Sequence, residues 1–181
     1  MYQINHNDYT KLRKKRILLK GSRFVDTSII HHKGKYWLFT NIDGQLDAIY
    51  IYHSDTLEGE FKPHQLNPIK VSSKSCRSAG NLFVVAGALY RPTQNLDVRY
   101  GGSIMINKIS ELSEQCFKSV IDFELLPEEP YLEGMHNISF GSNLIVVDGK
   151  RRRYSVITPV HRLLKKIFYR KLHLLRKQTK K

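Results

Sequence analysis

No run in this 181-residue chain approaches the ~18 consecutive apolar residues that a membrane-spanning helix needs. The first twenty positions are polar and then basic, without the apolar centre of a secretory signal, so a cytoplasmic protein is the default expectation. Cysteine is scarce. Cys76 and Cys116 are too few for a disulfide framework and are expected to be reduced and buried as small hydrophobes. Glycine-rich phosphate-binding loops are missing, since Gly101-Gly102 alone does not make one. His31 and His32 sit at a turn on alternate faces, a poor spacing for metal ligands, so they read as solvated and no metal or cofactor is expected. Acid is absent from the last 32 positions: Lys150 to Lys181 holds 13 Lys or Arg and no Asp or Glu. Of the 30 basic residues, 17 therefore lie in the first 149 positions, against all 16 acids. The net charge of +14 belongs to a cationic tail on a near-neutral body, which argues against a nucleic-acid binder.

What is present is one ordinary domain's worth of strand signals. Hydrophobic residues at 41% and charged residues at 25% are globular values, and the length suits one domain. Val25-Asp26-Thr27-Ser28-Ile29-Ile30 passes through a turn at His31–Lys35 to Tyr36-Trp37-Leu38-Phe39-Thr40, two β-rich runs forming a hairpin. Ala48–His53 follows the Asp43-Gly44 turn, and Glu60–His64 reads as an edge strand because it contains Pro63. The pattern recurs in Asn81–Val85, Ala88–Arg91, Gly102–Lys108 and Phe117–Phe123, and begins again with His136–Phe140 and Leu144–Val147. The hairpins start near residues 25, 80 and 136, a period of about 55, close to the repeat of a four-stranded propeller blade. A single β-sandwich with similar hairpins is the competing reading. Only two blades and part of a third fit in residues 1–149, too few to close a propeller alone, so partner blades supplied by another chain are expected.

The tail, residues 150–181, reads differently. Thr158 is an N-cap with Pro159 at the first helical position. Val160, Leu163, Leu164, Ile167, Phe168, Leu172 and Leu175 form an apolar stripe, with Arg162, Lys165, Lys166 and Arg170 among the basic residues beside it. Such a basic amphipathic helix can lie on an anionic membrane surface or pack its stripe on the strands.

Several segments together carry a resemblance. Phe24-Val25-Asp26-Thr27, Gly34–Phe39, Tyr52-His53-Ser54, Phe61–His64 and Asn67-Pro68-Ile69 match one blade, and Arg77-Ser78-Ala79-Gly80, Leu89–Gln94 and Tyr100-Gly101 match the next. Gly134-Met135-His136-Asn137 with Val147-Asp148-Gly149 match a last one. Over residues ~15–149 the chain resembles the five-bladed propeller domain similar to family 43 glycoside hydrolases. That domain is found at the N-terminal end of glucosamine inositolphosphorylceramide transferases and in bacterial fusions to a formyltransferase domain. The resemblance implies an all-β fold, a partial five-bladed propeller, here followed by the basic helical tail read from its own periodicity, and a carbohydrate or glycolipid partner. It also implies that the chain begins at the end of the third blade, with Lys11–Leu19 as that blade's last strand. The early-blade carboxylates that do the family's glycosidic chemistry have no counterpart here.

In a propeller the first strand of each blade lines the central channel, which singles out Asp26, Arg77 and His136, with Arg91 and Gln94 on the neighbouring strand and loop. Arg and Gln offer several hydrogen-bonding atoms in fixed geometry, suited to sugar hydroxyls, carboxylates or phosphates, and Tyr100 could stack on a sugar face. Structural readings stand beside these: Asp26 pairing Arg77, Arg91 and Gln94 in buried structural contacts, His136 as a satisfied channel histidine. A glycosidase needs two carboxyl groups roughly 5–9 Å apart, and Asp26 has no second acid at a matching blade start, while Glu128, Glu129 and Glu133 read as loop acids. The expectation is a sugar-binding domain that is not catalytic alone; the alternative is a membrane-surface module acting through the tail.

Overall fold

A computed structural model describes residues 1–152 of the chain apart from residues 6, 98 and 142. Where β-branched and aromatic residues alternate across short turns, the chain forms antiparallel strands. The first pair is β1 (Tyr2–Asn5) with β2 (Asp8–Lys14). A meander follows: β3 (Phe24–His32), β4 (Lys35–Ile42), β5 (Ala48–Ser54) and β6 (Lys62–Pro63) lie side by side in chain order, and β7 (Ile69–Lys70) also pairs with β5. After a single helical turn, α1 (Ser73–Cys76), a second meander repeats that order with β8 (Phe83–Val85), β9 (Ala88–Gln94), β10 (Ile104–Leu112) and β11 (Phe117–Leu125). A last hairpin joins β12 (Ile138–Phe140) to β13 (Ile145–Val147).

The two meanders open with the same turn. Lys33-Gly34 links β3 to β4 and Ala86-Gly87 links β8 to β9, each pair with positive φ at both positions (48° and 77°; 48° and 78°). That is the two-residue turn whose twist matches the flanking strands, and the glycine supplies its second left-handed position without a steric penalty.

The sheets stack in series. Trp37, Phe39, Ile49 and Ile51 of the first meander bury against Leu82, Leu89 and Ile109 of the second. On the second meander's other face Ile104 and Ile106 pack with Ala79 and with Ile138 of the last hairpin, and the ring of Phe83 lies 3.9 Å from that of Phe140. The second sheet is thus covered on both faces, and β4 runs buried from Trp37 through Asn41 rather than alternating. Each fully buried Ile or Leu contributes about 1.5–3 kcal/mol from apolar burial.

A polar clasp ties the outer ends of the two meanders. Glu114, in the β10–β11 turn, reaches Lys35 Nζ at 2.9 Å and His53 Nδ1 at 3.7 Å, and Lys35 also meets Asp55 at 2.5 Å. The Gln65 amide donates to the Glu114 carbonyl at 3.2 Å.

Some sequence expectations need correction. Residues 11–19 are not one strand: β2 ends at Lys14 and pairs with β1 in a hairpin, because the alternating Tyr2–Asn5 segment supplies a local partner. The Glu60–His64 edge shrinks to two residues, as the missing N–H of Pro63 limits the ladder. The first hairpin turn contracts to Lys33-Gly34, with His31 and His32 inside β3. Both cysteines are free, and while Cys76 is buried, Cys116 is only half-buried at the end of the β10–β11 turn. The helix expected from Thr158 onward, with Arg162, Lys165, Lys166 and Arg170, lies outside the described residues.

Two outcomes are expected. Ile51, with no exposed surface, leaves a cavity when truncated, so Ile51→Ala should lower unfolding free energy by about 2–5 kcal/mol in urea titration, whereas Val120→Ala on the exposed edge should change it by about 0.5 kcal/mol or less. Burial pushes His53 below its ordinary value of 6.5; Lys35, His64 and Lys62 push the same way and Glu114 opposes. The fold therefore favours neutral His53 and the unfolded chain protonates first on acidification, so this stability is complete above about pH 6.5 and lost below it. The urea midpoint should fall between about pH 7.5 and pH 5.5. His53→Gln should flatten the slope without abolishing it, because His32 is also pushed down by burial.

Candidate functional site

The site begins with a defect in β3. Val25 pairs with Asn41 and Ser28 with Phe39, so Asp26 and Thr27 together face the single residue Thr40. This is a β-bulge, and Asp26 carries its strain at φ 51°, a left-handed conformation unusual outside glycine. The Thr40 hydroxyl holds the bulge by donating to the Val25 carbonyl at 3.0 Å and lying 2.7 Å from the Thr27 hydroxyl. The consequence is a carboxylate turned out of the strand's normal alternation.

Asp26 meets Arg77. Its Oδ2 lies 2.8 Å from Arg77 Nε, off the N–H direction, so the contact is an ion pair rather than an aligned hydrogen bond. Both side chains are about one-third exposed, and the same guanidinium sits 5.1 Å from the ring centre of Tyr100. Arg77 follows α1 directly, and its carbonyl accepts from the Gln94 amide at 2.8 Å. The Gln94 side chain then donates Nε2 to the Ser78 carbonyl at 2.9 Å.

The far wall comes from the last hairpin. Gly80 bridges Ile138 in parallel, and Ile138 N donates to the Ala79 carbonyl at 2.7 Å. Gly80 has φ 138°, and a Cβ there would lie 2.0 Å from the Ile138 carbonyl oxygen. Gly101 allows the second close approach, since its Cβ would lie 2.8 Å from that of His136. His136 thereby comes within 5.8 Å of the Tyr100 ring. Its Nδ1 pairs with Asp148 Oδ2, while Asp148 Oδ1 accepts from the amides of His136 and Asn137 at 2.8 and 2.7 Å.

These pieces enclose a cavity of about 260 Å³, walled by Asp26–Ser28 of the bulge, by Ser78, Gly80 and Asn81 of the connector, by Gln94 and Tyr100, and by His136-Asn137. Two of the lining residues, Ser28 and Gln94, each hold a buried oxygen, Oγ and Oε1, without a hydrogen-bond partner among the described residues. A larger groove of about 600 Å³ between Leu125–Glu129 and the last hairpin is mainly apolar, with Glu128, Glu129, Tyr131 and Asp148 as its polar side chains.

Of the residues singled out in the sequence, Asp26, Gln94, Tyr100 and His136 line one cavity and Arg77 pairs at its edge. Arg91 is placed elsewhere. It is 2% exposed and donates to the carbonyls of Cys76, at 3.3 Å, and Ser75. Asp148 and Ser28 escaped sequence reasoning. Asp148 is twelve positions from His136, and only hairpin pairing brings them together; Ser28 looked like an ordinary strand residue until the bulge turned it. Gly80→Ala should lower the melting temperature by several degrees and speed proteolysis within residues 126–137, because the last hairpin must move off the connector; Gly21→Ala, in open space, should not speed it.

The family described as glucosamine inositolphosphorylceramide transferase 1, N-terminal, matches residues 4–132. That span includes Asp26, Arg77, Gln94 and Tyr100 and stops short of His136 and Asp148. Glucosamine inositolphosphorylceramide transferase 1 of Arabidopsis thaliana is 35% identical over 115 residues, covering 58% of this chain and 14% of the relative. The protein of the same name from Oryza sativa subsp. japonica is 33% identical over 104 residues, covering 53% and 14%. The match thus spans about one-seventh of the curated relatives' length. No solved structure matches the chain.

Proposed function

Because the chain belongs to the family of the N-terminal region of glucosamine inositolphosphorylceramide transferase 1, we propose that it is a glycoconjugate-recognising domain that binds a sugar in the cavity beside Asp26 and is not catalytic alone. The observation that carries this reading is the strained bulge at Asp26. Backbone strain of this kind persists where the surrounding structure holds it, often at functional sites, and here it turns a carboxylate toward Arg77, next to an exposed Tyr100 ring. Polar groups converging below an aromatic face suit a sugar, which offers hydroxyls on its rim and C–H groups on its face.

The chemistry argues against hydrolysis by this chain. Glycosidases use two carboxyl groups, one of them a proton donor. Asp26, at the cavity, is held by Arg77, and Asp148, which reaches it only through His136, is held by that histidine and two backbone amides, so neither is left as an unpaired acid. The proposed architecture is a partial propeller, with the two meanders as successive blades and the last hairpin as the start of another. Its support is the serial stacking: a sandwich sheet buries one face, whereas the second meander buries both. The names of the relatives make the sugar portion of a glycolipid the natural ligand to test.

Saturation-transfer NMR on the full chain against a panel of mono- and disaccharides tests the reading. At least one sugar should bind, with affinity reduced about tenfold or more (~1.4 kcal/mol) by Tyr100→Ala and reduced also by Asp26→Asn. Aryl glycosides should not turn over. Hydrolysis abolished by Asp26→Ala would overturn the non-catalytic part, and no binding across the panel would sink the proposal.

A further inference from the structure

Resting on the sugar-binding reading, we infer that the cavity selects an uncharged ring and discriminates against phosphate, sulfate and uronate groups. The inference comes from what the cavity has already used and what it has left. Its charges are matched internally: Arg77 stands against Asp26 at 2.8 Å, and His136 against Asp148. Nearby, Arg99 lies 3.9 Å from Glu133. Among the described residues an entering anion finds no cation without a counter-charge at the cavity, and must either displace Asp26 from Arg77 or sit beside its carboxylate. An ion brought into such a site loses its hydration without a new counter-charge.

Apart from Arg77 Nε, whose charge Asp26 already balances though without an aligned hydrogen bond, what remains unspent is neutral hydrogen-bonding capacity. Gln94 is 4% exposed and Ser28 5%, and each has one buried oxygen without a partner among the described residues. The amide of Gln94 is oriented by its bond to the Ser78 carbonyl: only Nε2 can donate there, so the atom left over is Oε1. That oxygen accepts and cannot donate. Phosphate, sulfate and carboxylate oxygens at neutral pH are acceptors too and cannot satisfy it, whereas a sugar hydroxyl can. The Ser28 hydroxyl, which both donates and accepts, completes a pair of groups matched to ring hydroxyls. Native structures rarely leave such atoms orphaned, and a ligand is one of the ways in which they are satisfied. The volume, about 260 Å³, falls just below the ~300–1,000 Å³ typical of drug-sized ligands, which fits a single ring better than an oligosaccharide.

The test titrates the full chain by calorimetry and NMR with ring-matched pairs: glucose with glucose 6-phosphate and glucuronate, galactose with galacturonate, mannose with mannose 6-phosphate. At least one neutral member should bind at least tenfold more tightly than its anionic counterpart. An anionic member binding equally well or better would overturn this inference while leaving the sugar-binding reading intact. Binding by no member of any pair would count against that reading itself, and the selectivity would fall with it. Ser28→Ala separates recognition from structure. Removing an orphan hydroxyl should leave the melting temperature unchanged or raise it, while affinity for the neutral ring drops at least fivefold. A lower melting temperature with undiminished affinity would show Ser28 to be structural and overturn its assigned role.

Discussion

Arg91 carries a guanidinium into the interior and meets no carboxylate among the described residues. Two of its nitrogens donate to the carbonyls of Ser75 and Cys76, and its Nε has no partner there. Burial pushes its pKa down to about 10, with Cys76 opposing, so the charge survives at neutral pH and backbone dipoles compensate it. The arrangement is costly to break, since removing the guanidinium orphans the Ser75 carbonyl and takes one of two donors from the Cys76 carbonyl. Those carbonyls end α1, and Arg77 is the next residue. Asn107 extends the brace by accepting from the Ser75 hydroxyl at 2.7 Å and donating to the Thr93 hydroxyl at 2.8 Å. Asn41, from the first meander, donates to the Cys76 carbonyl at 3.2 Å. The connector between the meanders is thereby held from both sides, and the proposed site is built on it.

The rest of the site depends on how closely chains can approach that connector. Gly80 and Gly101 have no side chain where the last hairpin passes, which lets Ile138 bond to Ala79 and brings His136 beside Tyr100. Rigid walls follow from this packing, because the bulge, the connector and the hairpin belong to three sheets buried against one another. Matched charges then leave neutral oxygens as the unused groups in the cavity, and its proposed chemistry follows from that remainder more than from any single residue.

Much of the fold was legible in the sequence. Alternating apolar runs around Lys33-Gly34 and Ala86-Gly87 marked the hairpins, since strand period and turn chemistry are local properties. The N-terminal hairpin was missed because its strands are short, mostly polar and left exposed even at Tyr2, Ile4 and Leu12, so no buried face marks them. The Arg91-Pro92-Thr93-Gln94 segment was noticed, but one strand divides its roles: Gln94 reaches the cavity and Arg91 reaches the core. A sequence lists such side chains together, while the pleat and the neighbouring connector separate them.

The sequence by itself determined most of the strands, the repeat, the concentration of net positive charge in the last 32 residues and the family. It could do so because side-chain period, glycine turns and composition are properties of neighbours along the chain. Only the tertiary structure decided that Asp26 lies in a left-handed bulge against Arg77, that Asp148 holds His136, and that Ser28 and Gln94 keep unpaired oxygens. Each of those facts is a relation between segments about 12 to 66 positions apart, and such relations exist only once the sheets have packed.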